Sequence, residues 1–199
     1  IWVLLAAMLP GLALADCVNP QSLDHGVTFN RADGRAGLAR RVANGVFVDY
    51  AAGAPAWTDQ RQVVSGVFEQ TISQYFQDDP DAVGGGSTET TRHLLSRLPT
   101  PVAGQGWSGK IFSETWQNNS SETGGYGYKA RYAANYVFLA EKSVRLSGCT
   151  YRVIPVEANF ANPEDGFSQR WLYFPDLGFG LETRVNGNDN GLTALKPAG

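Results

Sequence analysis

Histidine, cysteine and methionine are nearly missing from these 199 residues, with 2 His, 2 Cys and 1 Met. So few ligand side chains leave no room for a multi-ligand zinc or iron–sulfur module, and neither metal nor cofactor is expected. Charge is scarce as well. At 18% of residues it excludes a disordered, charge-rich chain. The 16 Lys and Arg are scattered and the net charge is −3, so nucleic acid is not an expected partner. Phosphate neutralisation needs clustered cations. There is no Cys-x-x-Cys and no Gly-x-Ser-x-Gly. A redox dithiol and a nucleophile elbow are therefore not expected.

What is present begins with an uncharged start. Ile1 to Leu9 is apolar, Pro10 and Gly11 break the run, and Ala13-Leu14-Ala15 has a small-x-small pattern. This reads as a signal peptide over residues 1–15, cleaved before Asp16. The run is shorter than the roughly 20 apolar residues that span a bilayer, so the mature chain is expected to have no transmembrane span. The expected location is periplasmic or secreted. Residues 16–185 read as a single β-rich domain and 186–199 as a flexible tail.

An oxidising compartment and an even cysteine count fit a disulfide. The only intramolecular pairing is Cys17 with Cys149. Closing so long a loop is worth on the order of 5 kcal/mol in the chain-entropy model.

Gly is abundant, at 23 residues, and it punctuates short runs rich in Val, Thr, Phe and Tyr. Strands are expected at Val27–Asn30, Leu38–Val42, Val46–Tyr50, Gln62–Phe76 and Lys110–Gln117. The clearest signal is Tyr126–Ala140, whose even positions are all apolar or aromatic. Period 2 over that length marks a half-buried strand. Strands follow at Tyr151–Ala158, Phe167–Phe174 and Leu177–Val185. One short helix is expected at Thr90–Leu98, ended by Pro99 and Pro101. The fold class is mainly β: a curved antiparallel sheet or incomplete barrel with one short helix.

Chemistry-bearing patterns are thin. Gly104-Gln105-Gly106-Trp107-Ser108-Gly109 spells a dinucleotide fingerprint, but prolines precede it and β-prone residues follow. The fingerprint needs a strand before and a helix after, so glycine turns explain it better. His25 and His93 are the only histidines, and His93 is expected on the helix surface. Paired carboxylates could serve a hydrolase, with Glu114, Glu122, Glu141, Glu157, Glu164 and Asp165 as candidates. Asp78, Asp79 and Asp81 resemble a calcium loop interrupted by Pro80. Asn118-Asn119-Ser120-Ser121 holds overlapping glycosylation sequons. No catalytic residue is assigned.

The aromatics remain. Trp116, Tyr126, Tyr128, Tyr132, Tyr136, Phe138, Trp171 and Tyr173 concentrate in the second half and are the candidate ligand-binding residues. They either form ordinary β core or line a cavity on one face of the sheet.

Two segments carry a resemblance, Val144-Arg145-Leu146-Ser147-Gly148-Cys149-Thr150-Tyr151 and Trp171-Leu172-Tyr173-Phe174-Pro175-Asp176-Leu177-Gly178. Over residues 130–185 the chain resembles exported bacterial proteins with a lipoprotein-carrier-like (LolA-like) half-barrel. The resemblance implies a curved antiparallel sheet with a helix plugging its concave face, and it brings no catalytic residues. The chain departs from it in offering only one helix candidate.

The resulting expectation is an exported, non-enzymatic protein that binds an apolar small molecule or lipid on the concave face. The alternatives are an envelope structural or interaction module with a filled core, whose partner is an envelope protein, and a carboxylate-dependent hydrolase.

Overall fold

The computed structural model describes residues 16–52, 57–76, 87–94, 98–119, 126–164 and 166–199. The signal-peptide reading, the acidic loop at 78–81, Ser120 and Ser121 of the sequons, Glu122 and Asp165 lie outside them. The helix α1 (Ser22–His25) is followed by β1 (Val27–Arg31), β2 (Ala36–Val42), β3 (Gly45–Asp49), β4 (Trp57–Val64) and β5 (Phe68–Phe76). Next come β6 (Ser87–Leu94), β7 (Gly106–Asn119), β8 (Tyr126–Phe138), β9 (Lys142–Leu146) and β10 (Cys149–Ala161). The chain ends with β11 (Gly166–Phe174), β12 (Phe179–Val185), β13 (Asn188–Asp189) and β14 (Leu192–Pro197).

The fold is mainly β and antiparallel. Strands run in the order β13-β12-β11-β10-β8-β7-β6-β5-β4-β3-β2-β1-β14, with β9 on the first part of β10. The sheet curls but does not close into a barrel. Its terminal strands β13 and β14 adjoin in sequence yet share no ladder.

Three expectations are corrected. Gln62–Phe76 is not one strand, because Ser65 and Gly66 at φ 46° and 88° turn the chain between β4 and β5. Paired positive φ values are what a two-residue hairpin needs. Gly66 is also forced by space, since a Cβ there would lie 2.3 Å from the Tyr173 ring. The expected helix at Thr90–Leu98 is strand β6 as far as Leu94, with residues 95–97 outside the described part. Its Thr-rich start pairs with both β5 and β7, and those ladders outweigh the leucine spacing. The helix that is present, α1, has only 4 residues and plugs nothing. The tail expected to be loose forms β13 and β14, because β1 offers an open edge that Leu192–Pro197 fills. Leu195 is fully buried there.

Two apolar clusters fill the curl. One gathers Leu23, Phe29, Val48, Tyr50, Phe174, Phe179 and Leu195. The other gathers Phe68, Ile111, Tyr136, Phe138, Val156, Phe160 and Trp171. Cys17 and Cys149 form the expected disulfide, with Cα atoms 5.8 Å apart and 132 positions between them. It fastens the segment before α1 to the start of β10. No helix among the described residues is long and apolar enough to cross a membrane.

Candidate functional site

The register of β7 with β8 sorts the candidate aromatics. Trp107 lies opposite Tyr136, Ile111 opposite Tyr132, and Thr115 opposite Tyr128, all on the concave side. Burial along this face grades from Phe138, Tyr136 and Ala134, which are buried, through half-buried Tyr132 to Tyr128, which is 47% exposed. Tyr136 is the hub. Its ring centroid lies 4.6 Å from Phe68, 5.7 Å from Trp107, 5.6 Å from Phe160 and 5.8 Å from Trp171. Tyr173 is buried in the same cluster. Trp116 differs in kind. It lies opposite Gly127 on the convex side and is 55% exposed. Tyr126 lies at the start of β8, opposite Gln117.

The eight candidates therefore divide. Tyr136, Phe138, Trp171 and Tyr173 pack on one another as core, with Tyr132 against them. Trp116 and Tyr128 reach solvent on opposite faces of the same pair of strands. Among the described residues the indole Nε1 of Trp171, buried in the second cluster, has no hydrogen-bond acceptor. None of the surface clefts at β10–β12, at the β14 end or beside Lys129 is lined by any of the eight.

Among the described carboxylate candidates, three are each held by a cation of their own. Glu114 meets Lys129 at 2.9 Å, Glu141 meets Arg152 at 3.6 Å and Glu157 meets Arg170 at 3.4 Å. Glu164 is exposed. Three carboxylates that sequence reasoning passed over do meet, around a buried arginine. Arg61 holds Asp59 through two bonds of 2.8 and 2.7 Å, and its Nη1 donates to Glu69 and Glu182 at 2.5 Å each. Gln169 donates to Glu182 at 2.9 Å and to Glu69 at 3.3 Å. The Glu182 backbone N–H donates to the Tyr50 hydroxyl at 2.8 Å, and the guanidinium lies 4.7 Å from the Tyr50 ring centroid.

Strands β4 and β12 are far apart in the sheet order, so Arg61 and Glu182 meet across the interior. The cluster is a clasp that fastens the curl where no ladder does. All its side chains are nearly inaccessible, with 7% exposure at Arg61 and 1% at Glu182. A hydrolytic pair must face a substrate bond, and these oxygens face Arg61 and Gln169. Burial raises the pKa of Glu182 above the usual carboxylate value, against the pull of Arg61. His93 stands beside it on β6, buried rather than on a surface. Its Nδ1 donates to the Glu69 carbonyl at 2.9 Å, and desolvation lowers its pKa. His25 is exposed.

A signal for the clasp existed in the sequence. Asp59 and Arg61 share the parity of buried Val63 in β4. Gly104–Gly109 forms the turn and the first residues of β7, with no helix after it. Neither family models, curated proteins nor solved structures give a match to this chain.

Proposed function

We propose that the protein is an exported, non-enzymatic binding module of the cell envelope that works through its outer surface around a filled core. The observation that carries this reading is the ring packing about Tyr136. Most aromatics that would line a lipid cavity touch one another instead. The disulfide supports an oxidising location. Among the described residues the exposed large hydrophobics, Val102, Trp116, Tyr128 and Val137, all belong to β7, β8 and the approach to them. Of these, Trp116 and Val137 share the convex face of one pair of strands.

The lipid-carrier reading keeps one observation in its favour. The unpartnered Trp171 indole N–H is where the acceptor of an interior guest would sit. Native mass spectrometry of residues 16–199, released gently from an oxidising compartment, separates the two readings. The surface reading expects the bare mass of the disulfide-bonded chain. An adduct of lipid mass that organic extraction removes would overturn it in favour of the carrier.

A further inference from the structure

The convex side of β7–β8 carries a platform that neither core uses. Trp116 is its largest ring. A Cβ added at Gly127 would lie 2.9 Å from Trp116 Cε3 and 3.3 Å from Cζ3. The indole therefore rests on bare backbone and leaves much of its surface to solvent. Its neighbours on the same face follow from the alternation and the register. Glu114 and Lys129 pair beside it. Phe112 comes next, with Lys129 Nζ 6.0 Å and the Arg131 guanidinium 5.6 Å from its ring centroid. Lys110 ends the strip. Same-face residues on a strand are about 6.8 Å apart, so the strip from Lys110 to Trp116 is roughly 20 Å long.

The charge on this strip opposes that of the chain. Among the described residues Lys110, Lys129 and Arg131 are set against Glu114 on the strip and Glu164 at the edge of the cleft beside it, a local excess of cations, while the whole chain carries −3. Lys110 and Arg131 have no carboxylate partner among the described residues. A shallow cleft runs from Lys129 and Arg131 to Asn162, Pro163 and Glu164 at the β10–β11 turn. Beyond Lys110 the same face carries Ser108, whose hydroxyl donates to Asn135 at 2.7 Å, and Asn159 next to Asn135 in register.

An exposed indole takes a flat, weakly polar face. Unpaired cations spaced along a strip take repeated negative charges, and amides take hydroxyls. A chain of pyranose rings bearing acidic groups offers all of these. An anionic bilayer fits less well. One largely exposed indole among charged side chains offers little area to insert, and Tyr128 lies on the opposite side of the strands. We infer that the convex face of β7–β8 binds a linear acidic polysaccharide, with Trp116 stacked on a sugar ring and Lys110, Lys129 and Arg131 meeting its anionic groups. This names a partner for the surface module proposed above and rests on that reading.

The test is a calorimetric titration with oligogalacturonate, beside a neutral cello-oligosaccharide and phosphatidylglycerol vesicles. The wild-type chain is expected to bind the acidic oligomer, more weakly as salt rises, and to prefer it to the neutral one. Trp116→Ala should weaken binding about tenfold or more, as loss of an aromatic anchor does. The double variant Lys110→Gln, Arg131→Gln should also weaken it and flatten the salt dependence. Both variants leave the core untouched, so an unchanged melting curve shows that the fold is intact. Failure to bind, equal binding by Trp116→Ala, equal binding of the neutral oligomer, or binding to vesicles alone would each overturn the assignment. If the oligomer fails while native mass spectrometry finds the bare chain, the polysaccharide is excluded and the surface module stands. If a lipid adduct appears while Trp116-dependent binding persists, the site stands and the surface-only reading fails.

Discussion

On the concave side of β7–β8, Trp107, Ile111 and Tyr136 are locked against Phe68, Phe160 and Trp171. On the convex side, Trp116 and Phe112 meet glycine backbone and charged side chains. The same residue class, a few positions apart on one strand, is core on one face and platform on the other. Aromatic content alone therefore says nothing of ligand binding in this chain. What decides is the parity of each residue and whether a second layer lies over it. On the concave face the curl supplies that cover, bringing Phe68 of β5 and Trp171 of β11 onto Tyr136. The convex face among the described residues has only surface ion pairs, which are worth little to stability.

The largest effect is expected inside. Arg61→Leu leaves Asp59, Glu69 and Glu182 buried without their cation and should cost about 3–5 kcal/mol or more in urea unfolding. A loss under about 1 kcal/mol would mean that the clasp is open to water. Trp171→Ala should cost about 3–5 kcal/mol by emptying the second core. Ala134→Trp sharpens the issue of a cavity, since overpacking a filled core costs about 1–3 kcal/mol. A variant as stable as wild type would reveal room beside Tyr136.

Proton linkage comes next, worth about 1.4 kcal/mol for every tenfold change in a group's proton affinity on folding. Glu182 has its folded pKa raised above the ordinary 4.5 by burial, so between 4.5 and the raised value the folded state binds more proton than the unfolded state. Its contribution is complete at low pH and is lost as pH rises from 4.5 through the raised folded value. His93 has its folded pKa lowered from 6.5, so its contribution is complete above 6.5 and is lost as pH falls below that. Glu182→Gln should remove the first trend from a stability–pH curve and His93→Phe the second. Unchanged curves would place both groups in solvent. The smallest effect belongs to the convex face, where Trp116→Ala should change stability by less than about 1 kcal/mol, since surface sites rarely exceed that. A loss comparable to that of Trp171→Ala would erase the distinction between the faces.

Much of the fold was legible in the sequence. The period-2 run of Tyr126–Ala140 is β8 as far as Phe138, and cysteine arithmetic found the disulfide. The misses have physical causes. Ser65-Gly66 is a weaker turn signal than Asn-Gly or Asp-Gly, so the β4–β5 hairpin read as one strand. Leu94 and Leu98 share a helical spacing, which hid the Thr-rich strand β6. Strand β14 owes its order to the edge of β1, which no local pattern announces. The candidate site was legible only in part. Choosing aromatics by type mixed Trp116 with Trp171, although parity with Ile111 separates Trp116 from the core face. The clasp was missed because charges are usually solvated, and Glu182 reaches Arg61 only across 121 positions of sequence.

Each of the 5 tryptophans carries one indole N–H. Their nuclear magnetic resonance signals report the convex face and the core in a single titration with oligogalacturonate. The account predicts that the Trp116 signal moves on binding while that of buried Trp171 stays in place. Movement of Trp171 with Trp116 unchanged would place the ligand inside the curl and contradict it.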